Sequence, residues 1–188
     1  MYKHFFKRFF DFTITLVGLI VISPVLVILC LLVRIKLGTP IFFPQIRIGK
    51  DEKPFKMLKF RTMTDDRDEE GNLLPDEERF TKFGNFLRNS SLDELPELIN
   101  VLKGDMSLVG TRPPTLDEWY QYAPHHRIRM STKPGITGLW QISGRSKITD
   151  FEQVIRLDRR YIEYWSIWMD LKILWKTMQV VIKREGAH

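Results

Sequence analysis

The sequence predicts an α+β fold that is mainly helical. A long apolar helix stands at the N-terminus, a small β-hairpin follows, and a helical domain with amphipathic surface helices completes the chain. Three observations predict this. Residues 12–33, FTITLVGLIVISPVLVILCLLV, contain no charged side chain. Residues 41–63 have strand character around a GKDEKP turn. Much of the remainder repeats apolar residues at three- and four-residue spacing, punctuated by Gly and Pro. The expected division is a membrane unit over residues 1–38 and a second domain over 39–188.

The apolar run is longer than the roughly 20 residues needed to cross a bilayer. It is too long for a cleavable signal, and Arg34-Ile35-Lys36 after it lacks a small-residue cleavage site. An all-round apolar helix of this length is rare as the core of so small a domain. Basic residues flank both ends: Lys3, Lys7 and Arg8 before, Arg34 and Lys36 after. Charge bias places the richer side in the cytoplasm, and here both sides qualify. Ser23-Pro24 lies mid-run. Proline removes one rung of the hydrogen-bond ladder, and a serine hydroxyl can satisfy the freed carbonyl. A broken, re-entrant hairpin and a simple kinked span both fit. Residues 1–11, basic and rich in Phe and Tyr, read as an interfacial start.

In the hairpin, Phe43 and Gln45-Ile46-Arg47-Ile48 form one strand and residues 55–61 the return. Lys56, Lys59 and Arg61 on the return strand offer charge to an anion, although a solvated strand face explains each alone. Residues 65–76, DDRDEEGNLLPD, form an acidic, turn-rich loop. Residues 77–89 are a short helix carrying Phe80, Phe83, Phe86 and Leu87.

Residues 89–112, NSSLDELPELINVLKGDMSLVGTR, hold the chemistry. Ser91 and Glu94 have capping-box spacing, Leu92, Leu95, Ile99 and Leu102 share a face, and Gly104 offers a stop. Asp93 then falls in the first turn, where unpaired N–H groups favour an anion. Pro96 disturbs this reading because it deletes an N–H of that turn, so the helix is expected to start irregularly or after Ser91. Residues 115–122 are helical, and 133–138, KPGITG, a turn-rich loop. His125-His126 lack metal-ligand spacing and are read as non-ligands. Arg145, after Gly144, presents a planar fork suited to phosphate. Residues 150–184 read as two helices or one bent helix. Their Trp165, Trp168 and Trp175 suit either a membrane interface or the core.

Charge and composition narrow the partners. Lys and Arg number 29 against 23 Asp and Glu, a net charge of +6, which suits an anionic partner. A single cysteine, Cys30, excludes a disulfide framework within one chain. No P-loop, dinucleotide fingerprint, zinc-protease or nucleophile-elbow motif is present.

Taken together, Lys7-Arg8-Phe9-Phe10-Asp11, Ser23-Pro24 in the apolar run, Lys59-Phe60-Arg61-Thr62-Met63, Ser91-Leu92-Asp93-Glu94-Leu95-Pro96, Gly104-Asp105-Met106-Ser107, Arg112-Pro113 and Ser143-Gly144-Arg145 resemble the bacterial sugar transferases. These are monotopic phosphoglycosyl transferases, the initiating enzymes of bacterial surface glycans. The resemblance covers nearly the whole chain in order, and the chain looks like the minimal form without additional spans. It implies transfer of a sugar-1-phosphate from a UDP-sugar to polyprenyl (undecaprenyl) phosphate, with release of UMP. It implies Asp93 as the nucleophile that takes up the phospho-sugar, and Glu94 as a base or near the metal. The implied cofactor is Mg²⁺, held by Asp93 with Glu94. Two anionic substrates need cations, for which Arg88 and Arg112 come first, then Arg145 and Lys59. The resemblance also implies a re-entrant helix broken at Ser23-Pro24, with Lys7, Arg8 and Asp11 anchoring near headgroups. The domain would then lie on the cytoplasmic face of the bacterial inner membrane. The expected partners are membrane lipids and downstream glycosyltransferases, with self-association left open and no nucleic acid. Residues 111–118, 143–146 and 165–166 look most like members that transfer a hexose-1-phosphate, glucose or galactose. Asp158 and Asp170 match family carboxylates whose roles stay open.

A membrane-anchored basic binding or scaffold module without catalysis is the competing reading. Against it, the basic residues interleave with Asp93, Glu94 and Asp105 instead of forming one stripe, and no nucleic-acid motif is present.

Overall fold

Pro24 does not interrupt the N-terminal helix. The computed structural model describes residues 2–144 and 148–183, and in it α1 runs unbroken from Tyr2–Leu37. The break expected at Ser23-Pro24 is thus not a gap in the helical hydrogen bonding, which continues through both residues. The reason is local. Pro24 cannot donate to Ile20 O, four residues back, and Ser23 Oγ donates to that carbonyl instead at 2.8 Å. Most of α1 is exposed and apolar, with a mean hydropathy of 3.2 over its most apolar stretch. That is enough by length and composition to cross a membrane.

Both ends of α1 dock onto the rest of the chain. Near the C-terminal end Leu29, Val33 and Leu37 are buried with Phe60 and Leu87, and Arg61 Nη1 donates to Leu37 O. Near the N-terminal end the contacts are polar. Lys7 Nζ lies 2.6 Å from Asp170 Oδ2. Asp170 also accepts from Tyr161 Oη at 2.7 Å and Trp165 Nε1 at 3.0 Å. Asp11 accepts from Ser107 Oγ and from the Leu108 amide. Arg8 donates to the carbonyls of Val101 and Leu102 in the last turn of α4 (Glu97–Lys103), where carbonyls run short of intrahelical donors. Lys7, Arg8 and Asp11 thus bond the protein itself, where headgroup anchoring was expected. The roles left open for two carboxylates also resolve. Asp170 gathers three donors, and buried Asp158 pairs with buried Arg129 at 2.7 Å.

The hairpin forms as expected, with β1 (Phe42–Ile48) antiparallel to β2 (Pro54–Phe60) and Phe42 opposite Phe60. Asn100 fastens α4 to it. Its side chain accepts from Leu58 N and donates to Lys56 O, standing in for a third strand on the β2 edge. The helix expected over 77–89 is two pieces, α2 (Asp76–Arg79) and α3 (Lys82–Asn89). Phe80 between them is extended, and Thr81 caps α3 by accepting from Gly84 N. Gly84 is required there, since a Cβ would lie 1.8 Å from Thr62 O.

The capping box lies elsewhere than expected. Ser91 has a left-handed backbone and caps nothing. Residues Leu92–Glu94 form a 3-10 turn, and α4 begins only after Pro96, as the deleted N–H required. Gly104, at φ 93°, ends α4 where the sequence placed the stop. A complete capping box joins Thr115 and Glu118 at α5 (Leu116–Tyr120).

Strand β3 (Ser107–Val109) pairs in parallel with β4 (Gly135–Thr137), inside the stretch read as a loop. Here the glycines serve close approach and not turning, because a Cβ on Gly135 would sit 2.0 Å from Gly110 N. Around this pair gather Met57, Val101, Met106, Leu108, Val109, Tyr161 and Ile173, the main core. The C-terminal segment is two helices, α6 (Phe151–Glu163) and α7 (Ile167–Lys183). Helix α7 buries Asp170 and Ile173 and exposes Trp168, Leu171, Trp175 and Met178.

Asp170→Ala removes a buried carboxylate that serves three donors and leaves Lys7 only the longer pairing with Asp11, at 4.0 Å. It should destabilise the detergent-solubilised protein by about 3–5 kcal/mol in thermal unfolding followed by circular dichroism. Trp168→Ala, on the exposed face of the same helix, should change stability by no more than about 0.5 kcal/mol.

Candidate active site

The end of β2, the 3-10 turn and α4 converge on one cleft. It encloses about 580 Å³ and is lined by Asp93, Glu94 and Glu97 on one side. Arg47, Lys59, Arg61, Arg79, Arg88 and Arg112 supply cations around it. Of the sequence-predicted residues, Asp93, Glu94, Arg88, Arg112 and Lys59 are brought together. Arg145 lies outside the described residues. Lys56 points to solvent, whereas Lys59 and Arg61, on the other side of the pleat, face the cleft.

Lys59 sets the electrostatics. Its Nζ lies 2.8 Å from Glu94 Oε1 and 3.5 Å from Glu97 Oε1. Burial pulls the ammonium pKa down, but Glu94 and Glu97 outweigh it and leave the pKa raised. Glu97 sits deepest. Burial first, then the charge of Glu94, push its carboxyl up to about 8 against the pull of Lys59, so it holds its proton at neutral pH. Asp93 forms no ion pair among the described residues. Burial raises it to about 6, with Lys59 opposing and Glu94 adding to the rise. At pH 7 it is then about nine-tenths ionised. A helix N-terminus had been expected to keep Asp93 charged. In place of a regular helix start, Lys59 does so first, helped by the backbone N–H of Asp93 itself in the 3-10 turn and then by Arg88.

Arg88 and Arg112 are the available cations. Arg88 Nε donates to Thr62 Oγ1 at 3.0 Å, and its guanidinium lies over the Phe80 ring. Arg112 makes no side-chain ion pair among the described residues. Its carbonyl accepts from Arg129, which Asp158 holds. Arg47 is buried beneath them, and its pKa is lowered by burial and by the charge of Arg112. Two guanidinium groups that repel one another at the wall of a cleft are relieved by an anion between them. Arg61 and Arg79 are committed elsewhere, sharing Asp65 at the rim.

Glu97 and Arg47 escaped sequence reasoning. The signal for Glu97 was its position one helical turn after Asp93 and Glu94; Arg47 carried none beyond lying on the hairpin. The histidine reading needs one amendment. Glu152, distant in sequence, comes within 4.8 Å of His125 and His126. His126 Nδ1 accepts from the Ala123 amide, so its Nε2 carries the proton and donates to Glu152 at 2.7 Å. That tautomer directs the His126 Nε2 proton to the Glu152 carboxylate.

The sequence model of one family, "Bacterial sugar transferase", matches residues 2–184. The chain belongs to that family. Among family members, it is 49% identical to the uncharacterized sugar transferase EpsL of Bacillus subtilis, covering 97% of this chain and 90% of that protein. It is 46% identical to galactosyl transferase CpsE of Streptococcus agalactiae, covering 99% of this chain but 44% of CpsE. It is 43% identical to the UDP-glucose:undecaprenyl-phosphate glucose-1-phosphate transferase of Klebsiella pneumoniae, covering 92% and 39%. The chain thus spans less than half of two of these sugar transferases and nearly all of the third.

The raised carboxyl of Asp93 has a consequence for stability. Its folded-state pKa lies above the unfolded value, so its contribution is favourable below about pH 4 and is lost as pH rises through 6. Asp93→Asn should therefore stabilise the protein by about 1–3 kcal/mol at pH 8. The gain should shrink to near zero at pH 4, read from thermal midpoints across that range.

Proposed function

We propose that this chain transfers a hexose-1-phosphate, glucose or galactose, from a UDP-sugar to undecaprenyl phosphate. The observation that carries this is Asp93: a half-buried carboxylate without an ion pair among the described residues, sharing a cleft with Arg88, Arg112 and Lys59 beside a membrane-length helix. Members named as galactosyl and glucose-1-phosphate transferases support the sugar class.

The chemistry follows from the cleft. Arg112 and Arg88 hold the donor diphosphate, and Arg47 adds charge behind Arg112. An Asp93 oxygen attacks the phosphorus that bears the sugar. The bond from that phosphorus to the bridging oxygen breaks, and UMP leaves with the bonding electrons. An oxygen of undecaprenyl phosphate then attacks the same phosphorus and frees Asp93. An ionised carboxylate is a competent nucleophile for this. Two anionic substrates can so use one small cleft in turn. Glu94, bonded to Lys59, orients the turn that carries Asp93. The hard oxygens of Asp93 and Glu94 suit Mg²⁺, which when bound neutralises charge on the diphosphate and on departing UMP.

The membrane arrangement follows from α1. Its two ends dock onto the same domain, through Lys7, Arg8 and Asp11 at one end and Leu29, Val33 and Leu37 at the other. A spanning helix would place its ends about 30 Å apart on opposite faces. We read α1 as re-entrant in the cytoplasmic leaflet of the inner membrane, with Trp168 and Trp175 of α7 at the same surface.

The nanodisc-embedded protein, given Mg²⁺, undecaprenyl phosphate and radiolabelled UDP-glucose or UDP-galactose, should convert one donor to labelled lipid and UMP. Asp93→Ala should reduce turnover at least 1,000-fold. Arg112→Ala should lower kcat/KM about 10- to 100-fold, the loss of one or two charge-assisted hydrogen bonds. Turnover should fall on the acid side as Asp93 is protonated near pH 6. No lipid product from any UDP-sugar, with retained salt-dependent binding of anionic vesicles, would favour the binding-module reading.

A further inference from the structure

Behind Arg112 lies a second cavity, of about 490 Å³, within the 300–1,000 Å³ range of small-molecule sites. Arg112 and Trp140 line both cavities and form the wall between them. The second has a different character. Asp93, Glu94 and Lys59 do not line it, and no residue of α1 or the hairpin reaches it. Its wall is aromatic, built by Tyr122, His126, Phe151 and Trp140, with Glu118 and Gln121 as polar groups.

The aromatic wall is held in place from behind. The Tyr122 and Phe151 rings lie 5.3 Å apart, and the His126 ring meets Phe151 edge-on at 5.0 Å. The Arg129 guanidinium stands over both Tyr122 and Phe151 and donates to Tyr122 Oη. Arg129 is itself fixed by Asp158. His126 is pinned by the Ala123 amide and by Glu152. Meanwhile Trp140 Nε1 is buried at the dividing wall without an acceptor among the described residues. A buried N–H without a partner marks a place where an acceptor is expected.

We propose that this cavity is the subsite for the donor's nucleoside, with the base against the aromatic wall and the Trp140 N–H directed to a ligand oxygen. This deepens the transfer proposed above and rests on it. With the diphosphate at Arg112, the two ends of the donor diverge on either side of that residue. The sugar must stay beside Asp93, where the lipid acceptor meets it, so it occupies the first cavity. The nucleoside leaves with UMP and needs no access to Asp93 or the membrane. A flat base on aromatic rings gains stacking, and Glu118 and Gln121 supply an acceptor and a donor for its edge or its ribose.

Phe151 tests this, because it is partly exposed and its loss should not unfold the domain. Equilibrium binding of radiolabelled UMP to the nanodisc-embedded full chain should weaken about tenfold in Phe151→Leu. Phe151→Tyr should restore it to within about twofold. Inhibition of turnover by glucose-1-phosphate or galactose-1-phosphate should be unchanged in both. UMP affinity unchanged in Phe151→Leu, or weakened inhibition by a hexose-1-phosphate instead, overturns the assignment, the latter placing the sugar here. Asp93→Asn should keep wild-type UMP affinity. Phe151-dependent UMP binding in a wild-type protein that transfers no sugar would sink the transferase reading and leave the nucleoside subsite standing.

Discussion

Lys59 stands between the Glu94 and Glu97 carboxyl groups, and the cleft depends on that. Asp93, Glu94 and Glu97 lie within little more than one helical turn, partly out of water, and three negative charges so placed repel strongly. The ammonium of Lys59 reaches Glu94 and Glu97 from the neighbouring strand. Glu97, the deepest, keeps its proton. Asp93 is left ionised, poorly solvated and without an ion pair among the described residues. A carboxylate in that condition is more nucleophilic than one bound to an arginine. The same ion pair ties the hairpin to the turn, and Asn100 repeats the tie one turn further along α4.

The remaining elements bring that cleft to a membrane. Helix α1 is joined to the domain by apolar packing at one end and by buried charge at the other. The polar end is the more specific, since Lys7, Arg8 and Asp11 each meet partners of matched geometry on different elements. Those partners include α4, which follows the 3-10 turn that carries Asp93, and β3, which leads through Gly110 to Arg112. The apolar helix and the cleft are therefore mechanically continuous.

Much of this was legible in the sequence, because local chemistry decided it. The apolar run, the hairpin, the Gly104 stop, the late start of α4 after Pro96 and the grouping of Asp93 with Arg88, Arg112 and Lys59 follow from residues within a few positions or from the family resemblance. What was missed depended on distance. A parallel pairing of three-residue strands leaves no period, and the glycines of 133–138 signal a turn as readily as close backbone contact. The Ser91–Glu94 spacing mimicked a capping box that Thr115–Glu118 forms in fact. Lys7, Arg8 and Asp11 carry interfacial composition, yet their partners lie about 90 to 160 residues away. Glu152 reaches the histidine pair in the same long-range manner.

The claim that binds these observations is that Asp93 carries the phospho-sugar between donor and acceptor. The most direct measurement is a rapid acid quench of the protein with Mg²⁺ and UDP-hexose in the absence of lipid acceptor, followed by peptide mass mapping. A hexose-phosphate increment on Asp93, discharged when undecaprenyl phosphate is added, is the expected result. An unmodified Asp93 in protein that turns over once acceptor is present would contradict it and leave a direct transfer between the two substrates.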